Sequence, residues 1–217
     1  MKFVVTAGPT REPLDPVRYL SNRSSGKMGY AIAAAALEEH HSVTLISGPV
    51  ALPAPAGAEV MPVTTGDEMF DAVAARLAPC DVLVMCAAVC DYQPAHYNPE
   101  KMKKQRGPFS LALVPTRDIL ASLTSRPERC FVVGFAAETQ ELEANAVRKL
   151  REKNCDLLVA NDVSRADVGM DSDENELLIF FPNGERRRLP RAKKKELARA
   201  LLKIILDARE KSLTKKS

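Results

Sequence analysis

The feature that most constrains this chain is a rhythm: short apolar runs of strand length alternate with segments of helical period, and a chain so patterned closes around a largely parallel sheet. Residues 2–6 and 42–47 read as strands buried on both faces, and the alanine-rich stretch 28–40 between them reads as the crossover helix of a βαβ unit. A further strand pattern at 59–63 precedes a capping box, in which the Thr65 hydroxyl accepts from the Glu68 amide while Glu68 reaches back, opening a helix to about residue 78. Strands at 81–87, 111–114, 130–135 and 156–160 continue the rhythm, with a short helix from Asp118 and a longer one over 140–153.

Two stretches depart from it. Residues 89–108 are polar, basic and interrupted by prolines, without a period of 2 or 3.6, and read as a long functional flap. Near the C-terminus, residues 176–181 and 185–189 flank Asn183-Gly184, a strong hairpin signal, so a hairpin is expected over about 175–190 before a final helix at 191–209. Such a hairpin serves either as an arm for association or as the edge that finishes a sheet. The predicted fold class is α/β: a doubly wound, mostly parallel, Rossmann-like sheet with a C-terminal β-hairpin arm and a long active-site flap. With 217 residues and no internal repeat or low-complexity linker, one domain over 1–217 is expected.

Composition then narrows the function classes. Hydrophobic residues make up 46% and charged residues 27%, and no apolar run approaches the roughly 20 residues that span a bilayer, so no membrane partner is expected. Met1 is followed almost at once by the strand-like Phe3-Val4-Val5, which leaves no room for a signal peptide, and a cytoplasmic location follows as an expectation. The five cysteines lack a C-x-x-C pair and read as reduced thiols. A net charge of +3 is small for a polyanion partner, and the local clusters Arg186-Arg187-Arg188 and Lys193-Lys194-Lys195 lack interleaved aromatics, so no nucleic acid is expected.

Chemistry concentrates after the first strand. Thr6-Ala7-Gly8-Pro9-Thr10 begins a glycine-bearing turn, and Ser24-Ser25-Gly26-Lys27-Met28-Gly29 leads into the first helix. Glycines allow backbone amides to approach a phosphate, and a helix N-terminus adds roughly half a positive charge, so the pair reads as an anion cradle. Isolated glycines at structural turns would look the same. The spacing is not G-x-G-x-x-G, and the second strand ends Leu45-Ile46-Ser47-Gly48-Pro49, without the acid that holds a ribose in NAD enzymes.

The run from Thr6 through Arg18 and Asn22 to Gly29 resembles phosphopantothenate-cysteine ligase. So do Ala87-Ala88-Val89-Cys90-Asp91-Tyr92, Glu100-Lys101-Met102-Lys103-Lys104, Gly134-Phe135-Ala136-Ala137-Glu138-Thr139 and Ala160-Asn161-Asp162-Val163, in the family's order from Val4 to about Leu206. The resemblance implies condensation of 4'-phosphopantothenate with L-cysteine through an acyl-nucleotide, with pyrophosphate leaving first and Mg²⁺ as cofactor. CTP is the cosubstrate favoured over ATP by the bacterial wording of the motifs. A homodimer with shared sites is implied, and bacterial relatives often carry a flavin-dependent phosphopantothenoylcysteine decarboxylase, so association with a separate or fused decarboxylase is a further expectation.

Site residues follow by position. Lys101 matches a flap lysine that closes over the nucleotide, and Asn22 an asparagine at the acyl-nucleotide centre; these are the catalytic candidates. Arg18 matches an arginine that reaches the substrate phosphate from the neighbouring subunit, and Ala87, Ala88 and Asp91 match positions holding the phosphopantothenate chain and the nucleotide. The nucleotide set is Gly8, Ser25, Gly26, Gly29, Cys86, Ala87, Asp91, Lys101, the run Arg117, Asp118, Ile119 and Leu120, then Phe135, Lys149 and Lys153. Lys149 and Lys153 stand four apart on one helical face, where like charges repel by a few tenths of a kcal/mol unless an anion lies between them; a solvated face would have the same spacing. Metal-ligating groups are not identifiable. Cys90 stands where relatives usually carry alanine, and it reads as a structural thiol without a base-orienting partner; Arg117 stands where proline is common.

An NADP-dependent short-chain oxidoreductase is the alternative. It requires a Tyr-x-x-x-Lys pair on a helix, and the pair with that spacing, Tyr97 and Lys101, has Pro99 between its members.

Overall fold

The computed structural model describes residues 1–104, 106–124, 130–164 and 171–214. In chain order the first half runs β1 (Lys2–Ala7), β2 (Arg11–Pro13), β3 (Tyr19–Ser21), α1 (Lys27–Glu38), β4 (Ser42–Ser47), β5 (Glu59–Pro62), α2 (Gly66–Arg76) and β6 (Val82–Met85). The second half runs β7 (Tyr92–Pro94), β8 (Leu113–Pro115), α3 (Ile119–Thr124), β9 (Phe131–Glu138), α4 (Leu142–Glu152), β10 (Leu157–Asp162), β11 (Glu174–Phe180), β12 (Arg186–Lys193) and α5 (Lys194–Thr214).

Among the described residues, eight strands form one sheet in the order β12-β11-β10-β9-β6-β1-β4-β5. The six strands from β5 to β10 are parallel. The chain starts at β1, walks outward through β4 and β5, then returns to the other side of β1 at β6; this reversal places a crevice beyond the carboxyl ends of β1 and β6, the position at which doubly wound sheets bind ligands.

Two helical layers make β1 the centre of the core. After Lys2 its side chains are buried on both faces, as the strand-length apolar run requires. Phe3 and Val5 point to the layer of α1 and α5 with Ile32, Leu45, Leu201 and Leu202, while Val4 points to the opposite layer with Ile46, Met69, Val73 and Leu83. A third cluster packs α4 against β9 and β10 through Val132, Leu150 and Leu158. Each large side chain removed from water contributes roughly 1.5–3 kcal/mol, so the clusters fix the strand ends from which the functional loops depart.

The C-terminal hairpin continues the sheet, with β11 antiparallel to both β10 and β12. β12 is the outer strand, and its arginines meet acids: Arg188 pairs with Glu176 at 2.7 Å, Arg191 with Glu174 at 2.7 Å, and Arg186 with Glu143. Charge on an edge strand discourages pairing with another chain. Pro190 lies in this strand, where a missing amide is tolerated at an edge, and residues 191–193 therefore belong to β12 rather than to the final helix.

One expected strand is misplaced by the sequence pattern. The run 111–114 does not join the large sheet; β8 pairs instead with β7, which lies inside the segment expected to be irregular, in an antiparallel ribbon. Its residues are exposed, so no core contact draws this short apolar run into the sheet. A second small ribbon, β2 with β3, had no counterpart in the sequence reading. None of the described helices is long and apolar enough to cross a membrane.

Candidate functional site

Past their carboxyl ends, β1 and β6 stay joined as irregular backbone. The Ala88 amide donates to the Gly8 carbonyl (2.9 Å), and the Thr10 amide donates to the Ala88 carbonyl (3.1 Å). Two threonine hydroxyls add to this: Thr6 Oγ1 accepts from the Ala87 amide (3.1 Å) and Thr10 Oγ1 from the Cys90 amide (3.0 Å). The Asn22 side-chain amide then donates to the Ala88 carbonyl (3.0 Å), which draws the loop after β3 onto the same floor.

Above this floor stands the start of α1. Gly26, its N-cap, has φ 77° and no side-chain cap, and the first turn contains no acid. α2 differs, because Thr65 and Glu68 close its N-terminus with the capping box expected from the sequence. The first amides of α1 are therefore without a side-chain cap, the arrangement found where helix starts bind anions, while those of α2 are closed. A Cβ at Gly26 would stand 2.9 Å from Val50 Cγ1 and 3.3 Å from the Gly8 Cα, so the two turns meet through bare backbone.

The resulting cleft has a volume of about 360 Å³. It is lined by Asn22, Ser25, Gly26, Gly29, Cys86, Ala87, Ala88, Asp91, Phe135 and Lys149 of the expected set, with Gly8 directly behind Gly26. The charged side chains in its described lining are three lysines, Lys27, Lys149 and Lys194, and one carboxylate, Asp91. Lys149 is held by Glu138 at 2.7 Å. Burial pushes the Cys86 thiol up to about 12, so it lines the wall as a neutral group. Cys90 is buried, with Sγ near the Thr10 carbonyl (3.7 Å); burial raises its pKa, consistent with a structural thiol.

Other expected residues lie outside the cleft. Arg117 stacks over Phe70 at 4.3 Å and faces Asp67 at 3.8 Å. Asp118 receives the Ala121 amide at 2.9 Å, so it caps the start of α3, and it pairs with Lys153. Burial opposes charge on Asp118, but the Lys153 ammonium and the Ala121 amide hold its pKa below the ordinary value. Ile119 is in the core and Leu120 packs against it. The repulsion expected between Lys149 and Lys153 is met by two separate carboxylates, Glu138 and Asp118.

Lys101 is exposed and does not line the cleft. Its neighbours are tied to the turn between β2 and β3: the Asn98 amide donates to the Leu14 carbonyl (3.0 Å), and the Met102 amide to Asp15 Oδ2 (3.1 Å). Arg18 completes this staple, with Nε on Asp15 Oδ2 (3.0 Å) and Nη2 on the Met102 carbonyl (2.7 Å). Arg18 and the amides of Val17, Met102 and Arg18 outweigh burial and hold the Asp15 carboxyl far below the usual carboxylate range. The base of the flap is thus fastened to the arginine matched to a substrate phosphate.

Asn175 and Lys194 also line the cleft without any signal in the sequence, as do Lys27 and Asn161, which the cradle run and a family block contain but to which no role was assigned. Lys194 lay in a run of three lysines whose inward member is not distinguishable by composition. Lys193 and Lys195 are exposed, whereas Lys194 is 5% exposed.

Fold and site together define a doubly wound α/β protein with a glycine- and lysine-lined cleft at its topological switch point. A narrower membership comes from comparison: residues 1–208 match the model of the DNA/pantothenate metabolism flavoprotein C-terminal domain, and the chain belongs to that family. It is 46% identical over 206 residues to the coenzyme A biosynthesis bifunctional protein CoaBC of Vibrio vulnificus strain YJ016, covering 94% of this chain and 51% of that protein. The CoaBC of Escherichia coli K12 is 46% identical over 210 residues, covering 95% and 52%. The chain therefore spans about half the length of the curated relatives it matches. A crystal structure of the C-terminal domain of a CoaBC superposes with a TM-score of 0.81 at 38% identity, covering 96% of both chains.

Proposed function

We propose that the cleft binds a nucleoside triphosphate and uses it to activate 4'-phosphopantothenate for amide formation with L-cysteine, a step of coenzyme A biosynthesis. The observation that carries this reading is the uncapped, acid-free start of α1, set against bare glycine backbone and lysines at the switch point, with the Asn22 amide across the floor. Membership in the family and likeness to CoaBC supply the substrates.

In this reading a carboxylate oxygen of phosphopantothenate attacks the α-phosphorus, the bond to the β-phosphate oxygen breaks, and pyrophosphate departs. The cysteine amine then attacks the acyl carbon and loses a proton, and the nucleoside monophosphate leaves as the amide forms. Both steps gather negative charge beside the α1 amides and Lys149, where a preorganised positive field is more effective than water. Asn22, anchored to the Ala88 carbonyl, turns its second N–H, now near Cys90 Sγ at 3.7 Å, to the acyl-phosphate centre. Lys101 acts from the flap when that segment folds inward. The cosubstrate is proposed as CTP, giving an acyl-cytidylate.

Mg²⁺ is proposed as the companion of the triphosphate. No group of three or more metal-ligating side chains occurs among the described residues, which fits an ion held mainly by phosphates and water, with Asp91 the carboxylate of the lining. When bound, such an ion neutralises phosphate charge.

A homodimer is proposed through the two small ribbons. Val17 and Tyr19 are exposed beside Arg18, Tyr92 and Leu113 are exposed on the second ribbon, and β2 touches β7; exposed apolar side chains so grouped mark an interaction surface. Arg18 would then serve the partner's substrate phosphate. The protein is proposed to act in the cytoplasm, in association with a decarboxylase that is fused or separate. The oxidoreductase alternative gains nothing, because Tyr97, Pro99 and Lys101 lie on backbone that is not helical.

A pyrophosphate-release assay with phosphopantothenate, cysteine, Mg²⁺ and each nucleoside triphosphate in turn tests this reading. Release that requires phosphopantothenate, fastest with CTP, is expected; release indifferent to phosphopantothenate overturns it.

A further inference from the structure

Lys194 is the first residue of α5, a position where the helix dipole disfavours a cation. It is nevertheless 5% exposed and lines the cleft together with Lys27, the first residue of α1. Burial lowers the Lys194 pKa and the nearby Lys27 charge lowers it further, while Cys86, Asp171 and Asp173 act in the opposite direction. Lys27 itself donates to Asp173 Oδ1 (2.6 Å) and to the Asp171 carbonyl (2.9 Å), but the Asp173 side chain is 84% exposed. Ion pairs of that kind contribute little and yield readily to a more highly charged partner.

The lining therefore holds two lysines, at the starts of α1 and α5, besides the expected Lys149. Both have primary amines on flexible stems, the chemistry that meets phosphate as a point charge. Lys27 follows directly on Gly26, at the uncapped start of α1, so an anion bound at that turn shares the cleft with the Lys27 ammonium and with the buried Lys194.

We propose that Lys194 and Lys27 form the subsite for the β- and γ-phosphates of the nucleotide, the part that leaves as pyrophosphate. This rests on the reading of the cleft as a nucleoside triphosphate site. Lys194 supplies a fixed, desolvated charge; Lys27 exchanges Asp173 for phosphate as the nucleotide arrives. The pair selects for the length of the phosphate chain and leaves recognition of base and ribose to other walls.

Calorimetric titration of CTP and CMP, each with Mg²⁺, into the full chain and its variants tests the subsite. Loss of one charge-assisted contact should weaken CTP by about tenfold or more in Lys194→Met, with CMP changed by less than about twofold. Lys27→Met should show a smaller loss in the same sense, and Lys194→Arg should keep most of the preference for CTP. Inorganic tripolyphosphate should raise the melting temperature of the wild type and not that of Lys194→Met. An unchanged CTP-to-CMP ratio in a folded Lys194→Met protein overturns the proposal, and a lowered melting temperature with that unchanged ratio identifies Lys194 as a structural ion-pair member. Should Lys194→Met not fold, Lys194→Gln and Lys27→Met carry the same comparison, and an unchanged ratio in both overturns it. A wild type that binds neither nucleotide removes the parent reading instead.

Discussion

Gly29 sits one turn into α1, and a Cβ built on it would stand 2.6 Å from Ala7 Cβ, 3.0 Å from the Thr6 carbonyl oxygen and 3.1 Å from Ala7 Cα. Carbon atoms in contact prefer about 3.5–4.0 Å, so in Gly29→Ala the helix must retreat from β1 by roughly 1 Å. The obstructing atoms are mostly backbone, which places the strain at about 2–3 kcal/mol of the overpacking range. Alanine returns close to 1 kcal/mol of helix propensity. The net loss is then about 1–2 kcal/mol, or roughly 2–8 °C in melting temperature for a domain of this size. Because the same movement pulls the first amides of α1 away from the floor, triphosphate affinity should fall by about tenfold or more. Thermal unfolding and calorimetric binding on one preparation measure both. Gly66→Ala is the control: its Cβ would meet Glu12 Oε1 and Val89 Cγ1 at 3.4 Å, an ordinary contact at the start of α2. A Gly29→Ala protein that melts and binds like the wild type would refute the claim that close packing of α1 on β1 builds the cradle.

Lys101→Ala should lower kcat by about 10²- to 10³-fold while the melting temperature stays unchanged, as for loss of a donor made useful only in the transition state; steady-state kinetics check this. Mixed dimers of Arg18→Ala and Lys101→Ala chains should recover activity that neither parent has, since one of the two sites regains both residues if Arg18 serves the partner; absence of recovery places Arg18 in its own subunit's site. Asp15→Asn removes a carboxylate whose pKa is depressed in the folded state, so its stabilising effect is present above the unfolded value of about 4 and is lost as pH falls toward the folded value. Acid unfolding of the wild type should steepen below about pH 4, whereas Asp15→Asn should be less stable at neutral pH and flatter through that window; limited proteolysis should also cut the flap faster.

Legibility in the sequence followed the physics of burial. Strands such as β1, β4 and β10 carry buried apolar residues on both faces, and their positions were readable within a residue or two. The capping box at Thr65 was readable because its chemistry is local. β8 was not, because Leu111-Ala112-Leu113-Val114 has the composition of a buried strand while its partner is a three-residue ribbon strand in solvent, and pairing partners are not written in a short apolar run. The site divides in the same way. Gly8, Gly26 and Asn22 announce themselves by residue type beside the first strand. Lys194 does not, since it reaches the cleft from the far end of the chain and its orientation depends on where β12 hands over to α5.

The proposed chemistry depends most on an acyl-nucleotide being formed in this cleft. Phosphopantothenate labelled with ¹⁸O in its carboxylate, turned over with CTP and cysteine and analysed by mass spectrometry, tests that directly. One labelled oxygen per turnover should appear in the released CMP, carried by the bond that joined the acyl group to the α-phosphorus. Label found in inorganic phosphate, with CDP as the nucleotide product, would mean attack at the γ-phosphorus and would contradict the account.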